Sequence, residues 1–171
     1  MDKIKKVIDS VLAVMCVAMF VLLTATTSWQ VISRYLLNRP SAITEELAKI
    51  IFVWMVLLAA AYLFGEKGGH MNIGLLLDKL NGKKEYVVNI AIQISICIFS
   101  IFVLIFGGSN AVILGLSQKN ASLPIISTGQ IYMALPICGI FTVFYALNFI
   151  YESLKHLIIA SAEERREKGN G

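Results

Sequence analysis

The chain has 171 residues, of which 57% are hydrophobic and 15% charged, with a mean hydropathy of +0.75 and a net charge of +4. Soluble domains carry about 25% charged residues, so an ordinary water-soluble domain is excluded, and most soluble enzymes and nucleic-acid readers with it. In such a chain the basic residues report membrane topology before they report an acidic ligand.

Crossing the hydrocarbon core takes about 20 apolar residues, and four such stretches use most of the sequence, leaving one membrane domain over 1–171. The first covers 10–34. Lys3, Lys5 and Lys6 precede it like the basic region of a signal peptide, but the apolar run is too long and lacks a small-x-small cleavage site. It therefore reads as an uncleaved anchor helix. A polar turn follows, in which Pro40 disfavours helix at Arg39 and allows one to start soon after. Ser41 or Thr44 is suited to cap the second span, 44–64, and Glu45 and Glu46 fall in its first turn, at the positive end of the helix dipole.

Residues 65–85 form the most polar interior segment, with glycines at 65, 68, 69, 74 and 82. Within it, the apolar residues of 71–80, flanked by Asp78, Lys79, Lys83 and Lys84, predict one or two amphipathic turns at the headgroup level. The third span, 86–116, is longer than crossing requires, so it must tilt, break near Gly107 and Gly108, or project beyond the bilayer. A loop with Lys119 and Pro124 leads to the fourth span, 130–154, with a kink expected at Pro136. The tail around Glu163, Glu164, Arg165, Arg166, Glu167 and Lys168 predicts a frayed, soluble end.

Of the 15 Lys and Arg residues, eleven fall in the two tails and the segment between spans 2 and 3, against four on the other side. The positive-inside rule then puts both termini in the cytoplasm. The fold class is an all-α integral membrane protein with four transmembrane helices, both termini inside, and a short amphipathic cytoplasmic segment between helices 2 and 3. Aromatic residues agree, with Trp29, Tyr35 and Tyr132 at the outer interface and Tyr62, Tyr86 and Tyr151 at the inner one.

The middles of the four spans contain no Asp, Glu, Lys, Arg or His. Proton relays, ion pathways and drug exporters place an ionisable group there, so the chain is a poor conduit by itself. Asn89, Gln93, Ile96, Ser100, Val103, Gly107 and Asn110 recur by threes and fours, predicting a face of small and polar groups for close helix packing. Thr24, Thr27, Gln30 and Arg34 form a similar face on helix 1. Ala59, Ala60 and Ala61 allow close approach on helix 2.

Cys16, Cys97 and Cys138 lie within spans and read as small buried thiols. His70 and His156 are too far apart for a metal pair. Asn120-Ala121-Ser122 matches a glycosylation sequon, a pattern too short to carry weight. No phosphate loop, nucleophile elbow or metalloprotease signature is present. No catalytic residue, cofactor or metal is assigned.

One segment is more specific: Val31-Ile32-Ser33-Arg34-Tyr35, then Thr44-Glu45-Glu46-Leu47-Ala48-Lys49-Ile50-Ile51-Phe52-Val53-Trp54, then Gly65 and His70. This pattern resembles the small membrane subunit, the DctQ-like or Q subunit, of tripartite ATP-independent periplasmic (TRAP) transporters, and the likeness extends over nearly the whole chain. Many members carry an acidic residue about four positions after the His, where this sequence has Gly74. The resemblance implies a multi-pass subunit of a bacterial inner-membrane complex. In it, a periplasmic binding protein delivers an organic acid to a large, elevator-type membrane subunit driven by a sodium gradient, and the small subunit is a fixed scaffold. Sialic acid and C4-dicarboxylates are the family cargoes, with sialic acid preferred here. The expected partners are that large subunit, the binding protein and membrane lipids, with no nucleic acid. The readings set against it are a four-helix membrane enzyme or quinone-reactive subunit, and a small homo-oligomeric exporter.

The partner-interface candidates are Arg34, Glu45, Glu46, Trp54 and His70. Two readings stay open for the glutamates. They are helix-start carboxylates favoured by about 0.3–1 kcal/mol, with Glu45 paired to Lys49 at i,i+4, or one of them reaches Arg34 or the large subunit. An Arg34 ion pair with Glu45 or Glu46 would clamp helices 1 and 2. Trp54 is expected to pack against another helix, and His70 to cap or border the cytoplasmic side. Arg39 and Lys119 are solvated loop charges or weak, salt-sensitive contacts for the binding protein.

Overall fold

A computed structural model describes residues 2–38, 41–66, 83–120 and 122–169, with side chains described for 3–38, 41–66, 86–120 and 122–159. Helix α1 covers Asp2–Tyr35 and α2 covers Ala42–Gly65. The third span is compound: α3, Lys83–Phe99, runs into a π-helical segment, Ser100–Gly107, and then into α4, Gly108–Leu116. The fourth joins α5, Thr128–Tyr132, to α6, Ala134–Gly169. Among the described residues, four helices are long and apolar enough to cross a membrane: Lys3–Tyr35, Ala42–Gly65, Tyr86–Leu116 and Thr128–Ile159.

The expected boundaries shift in four places. Helix 1 starts at Asp2, so Lys3, Lys5 and Lys6 are helical. The third span starts in α3 at Lys83. The expected kink at Pro136 takes the form of a break at Met133 between α5 and α6, because proline has no N–H for the Tyr132 carbonyl and its ring crowds that group. The tail expected to fray continues α6 to Gly169. At the start of α2, Ser41 is the cap, its side chain accepting from the Thr44 N–H at 3.5 Å. The predicted amphipathic turns of 71–80 lie outside the described residues.

The helices pack in a row: α1 against α2, α2 against α6, and α6 against α3 and the π segment, while α4 packs on α5. The core lies where α1, α2 and α6 converge. Leu12, Leu58, Tyr145 and Phe149 are buried together there, with Trp54, Tyr62 and Phe141 packed around them. Gly65 lets the Tyr145 ring lie on the α2 backbone, since a Cβ on it would come within 2.4 Å of that ring. At the other end Gly115 and Gly129 bring the third and fourth spans into backbone contact, where a Cβ on Gly115 would sit 2.7 Å from the Gly129 nitrogen. Such small-residue crossings drive helix association in lipid, where burial of apolar surface gives no preference for protein over acyl chain.

The predicted stripe on the third span holds for half its length. Asn89 donates to the Ser153 hydroxyl at 3.2 Å, and Gln93 and Ser100 are fully buried. Beyond Ser100, however, Val103, Gly107 and Asn110 are exposed, and Gly108 and Gly115 face inward instead. The π segment accounts for the change: the Gly108 N–H bonds the Val103 carbonyl five residues back, so the inward face advances by one residue relative to an α-helical period.

Candidate partner-binding surface

Three of the sequence candidates, Arg34, Glu45 and Glu46, come together at one end of the bundle, where α1 finishes and α2 begins. Lys49 lies one turn after the paired glutamates and reaches both, 3.2 Å from Glu45 Oε1 and 3.4 Å from Glu46 Oε2. The other oxygen of Glu46 accepts from Asn120 Nδ2 at 2.7 Å. The expected clamp between Arg34 and these carboxylates is not made: among the described residues Arg34 has no carboxylate within 4.0 Å. A lysine three and four residues along the same helix meets both glutamates at small entropic cost, and the second helix is not needed.

Asn120 is the functional candidate that sequence reasoning passed over. Its Oδ1 accepts the Ser122 N–H at 3.0 Å. Its backbone N–H bonds the Ile126 carbonyl at 3.2 Å, beside a β-bridge between Lys119 and Ser127. The loop is thereby closed on itself, tied to α2 through Glu46, and tipped by Ile125, which is 92% exposed. Seventy-four positions separate Asn120 from Glu46, so no local pattern announces the pair. At the entry to α5, Ser127 and Gln130 form a capping box, in which the Ser127 N–H donates to Gln130 Oε1 at 3.1 Å.

Between α1 and α2 at this end lies a groove of about 660 Å³, lined by Leu23, Thr24, Thr27, Gln30 and Arg34 from α1 and by Glu45, Lys49 and Phe52 among others from α2. The hydroxyls of Thr24 and Thr27 donate to the carbonyls of Phe20 and Leu23, each at 2.8 Å. Such back-bonding to the preceding turn satisfies the hydroxyl within its own helix. Lys119 is exposed on the nearby loop, whereas Trp54 is partly buried against the core cluster. Arg39 and His70 lie outside the described residues.

The opposite end holds a second polar group. The Tyr145 hydroxyl donates to Asp9 Oδ1 at 2.5 Å, and Lys5 Nζ sits 5.0 Å from the centre of the Phe149 ring. Tyr86 stacks on His156 with ring centroids 6.0 Å apart. The three cysteines are free, and Cys138 donates to the Leu57 carbonyl at 3.1 Å. Among the described residues no three His, Cys, Asp or Glu side chains converge as metal ligands would.

Residues 23–156, which include all of the second and third spans, most of the fourth and the last part of the first, match the family profile of the DctQ component of tripartite ATP-independent periplasmic transporters. The chain is 29% identical over 163 residues to the sialic acid TRAP transporter small permease protein SiaQ of Vibrio cholerae, covering 93% of this chain and 90% of that protein. It is also 30% identical over 73 residues to a TRAP transporter small permease protein of Haemophilus influenzae, covering 43% of this chain and 45% of that one. Both relatives are permease subunits by name, and the long apolar helices match that membrane setting. With the match extending over most of its length, the chain belongs to the DctQ component family of the tripartite ATP-independent periplasmic transporters.

Proposed function

We propose that this small permease subunit is a static scaffold for the large, elevator-type membrane subunit of a sodium-driven TRAP transporter. The complex takes up an organic acid delivered by a periplasmic binding protein. Sialic acid is the favoured cargo, on the strength of the similarity to the Vibrio SiaQ protein, with a C4-dicarboxylate as the second choice. The subunit resides in the bacterial inner membrane with both termini in the cytoplasm, as the distribution of its basic residues suggests.

The observation that carries the scaffold reading is the distribution of burial. In the most apolar window of the first span 6% of residues are buried, and in the third 11%, against 44% in the fourth. The flanks of the row therefore carry most of their apolar surface outward, available to a larger partner, while the polar side chains of the fourth span are satisfied internally. Thr142 and Asn148 bond carbonyls one turn back, and Ser153 meets Asn89. Arg34, Glu45, Glu46, Trp54 and His70 are proposed to shape or support the face that meets the large subunit. Arg39 and Lys119 are proposed as contacts for the binding protein.

The test is reconstitution. The chain should co-purify with the large subunit of its transporter. Liposomes holding both should take up sialic acid when a sodium gradient and the cognate binding protein are supplied, and liposomes lacking this chain should not. Full uptake without it would end the scaffold reading. Uptake of a C4-dicarboxylate in place of sialic acid would correct the cargo alone.

A further inference from the structure

The groove between α1 and α2 is sorted by chemistry along its length. Its deeper part, farther from the ends of the two helices, is walled by Leu23 and Phe52 together with Thr24 and Thr27, whose hydroxyls are already engaged by their own helix. Its mouth carries Gln30, Arg34, Glu45 and Lys49. Lys49 is held between two carboxylates. Arg34 has no carboxylate within 4.0 Å among the described residues, yet it stands at the last turn of a long apolar helix. A guanidinium does not deprotonate in proteins, and at a membrane boundary its planar fork of donors favours a phosphate or carboxylate oxygen.

A groove that is smooth and apolar below and cationic at the rim fits an amphiphile. A partner helix would have to pass Leu23, Val31 and Phe52, large side chains standing among the small Thr24, Thr27 and Ala48 that close helix pairs use. An acyl chain bends round such walls at little cost. Leu22 and Val53, next in sequence to the lining residues Leu23 and Phe52, and Val56, one turn further on, are exposed, which gives a lipid an apolar approach to the groove. We infer that this groove binds one membrane glycerophospholipid, with its phosphodiester on Arg34 and one acyl chain lying along Leu23, Thr24, Thr27 and Phe52. The site requires only a bilayer and stands independently of which solute the transporter carries.

The test uses the full chain purified with its large subunit in mild detergent, examined by native mass spectrometry after delipidation and titration with phosphatidylethanolamine or phosphatidylglycerol. One phospholipid should remain bound to the wild-type complex. Arg34→Ala should weaken its retention about tenfold, as loss of one charge-assisted contact would, with Arg34→Lys between the two. Thr24→Phe, a change at an exposed position that fills the groove, should also lower retention with Arg34 intact. Lys155→Ala, at the other end of the bundle, should have no effect. Equal retention by wild type and Arg34→Ala would overturn the inference. So would displacement of the lipid by inorganic phosphate alone, which would mean an anion site without an acyl channel, or a crosslink from position 34 to the large subunit at full yield in place of lipid. Subunit co-purification is read in the same spectra, so loss of the scaffold reading is distinguishable from loss of the lipid.

Discussion

The first and fourth spans are both apolar enough to cross a bilayer, yet 6% of the first and 44% of the fourth is buried in their most apolar windows. The buried one is the more polar: Thr142, Asn148 and Ser153 lie inside the bundle, whereas α1 exposes Val14, Val17, Phe20 and Val21. In water this ordering would be reversed. In lipid an exposed valine loses nothing, while a hydroxyl or amide gains by finding a partner within the protein. Span 4 therefore holds the bundle together, and span 1 presents surface.

The strongest challenge to this contrast is truncation of a large side chain in each span. Tyr145→Ala should destabilise the chain by about 3–5 kcal/mol, as losing a buried aromatic does, while Phe20→Ala in α1 should stay within about 0.5 kcal/mol. Denaturant unfolding in detergent compares the two, and equal losses would break the distinction. Next in size are the glycines of the third and fourth spans. Gly129→Ala, where a Cβ would stand 2.6 Å from the Val112 carbonyl oxygen, should cost about 1–3 kcal/mol by forcing the helices apart. Gly107→Ala, with its nearest neighbour at 3.6 Å, should be close to neutral in the same assay.

Tyr145→Phe keeps the packing and removes only the bond to Asp9. It should cost about 1–2 kcal/mol, and a double-mutant cycle with Asp9→Asn should give much less than the sum of the two. The smallest effect belongs to the ends of the molecule. Lys49→Ala should change stability least in the same assay, because the Lys49 ammonium is solvent-exposed and such ion pairs are screened. Asn120→Ala should change global stability little, but it should speed proteolysis within 118–126 once the loop loses its tie to Glu46.

The sequence carried the four spans, a cap at Ser41 or Thr44, the Glu45–Lys49 pair and an interruption caused by Pro136, because each follows from residues within one or two turns of one another. Arg34 shows where that reach ends. It shares a face with Thr24, Thr27 and Gln30 as the spacing predicted, but whether Glu45 turns across to it or along its own helix is a competition between two geometries, and the nearer lysine wins. Asp9 with Tyr145 and Asn120 with Glu46 join residues 136 and 74 positions apart, beyond any periodic signal. The inward stripe failed after Ser100 because periodicity assumes a constant helical pitch, and here the pitch changes.

That change of pitch also bears on how the chain can vary. The π segment stores one surplus residue between Ser100 and Gly108, so a single deletion within 101–107 would relax it to ordinary α-helix while Gly108 and Gly115 keep their places against the fourth span. Elsewhere in the bundle the same deletion would rotate everything beyond it by about a quarter turn or more. The third span thus has a built-in tolerance for length, and its Gly115–Gly129 crossing can survive an edit that would scramble any of the other three.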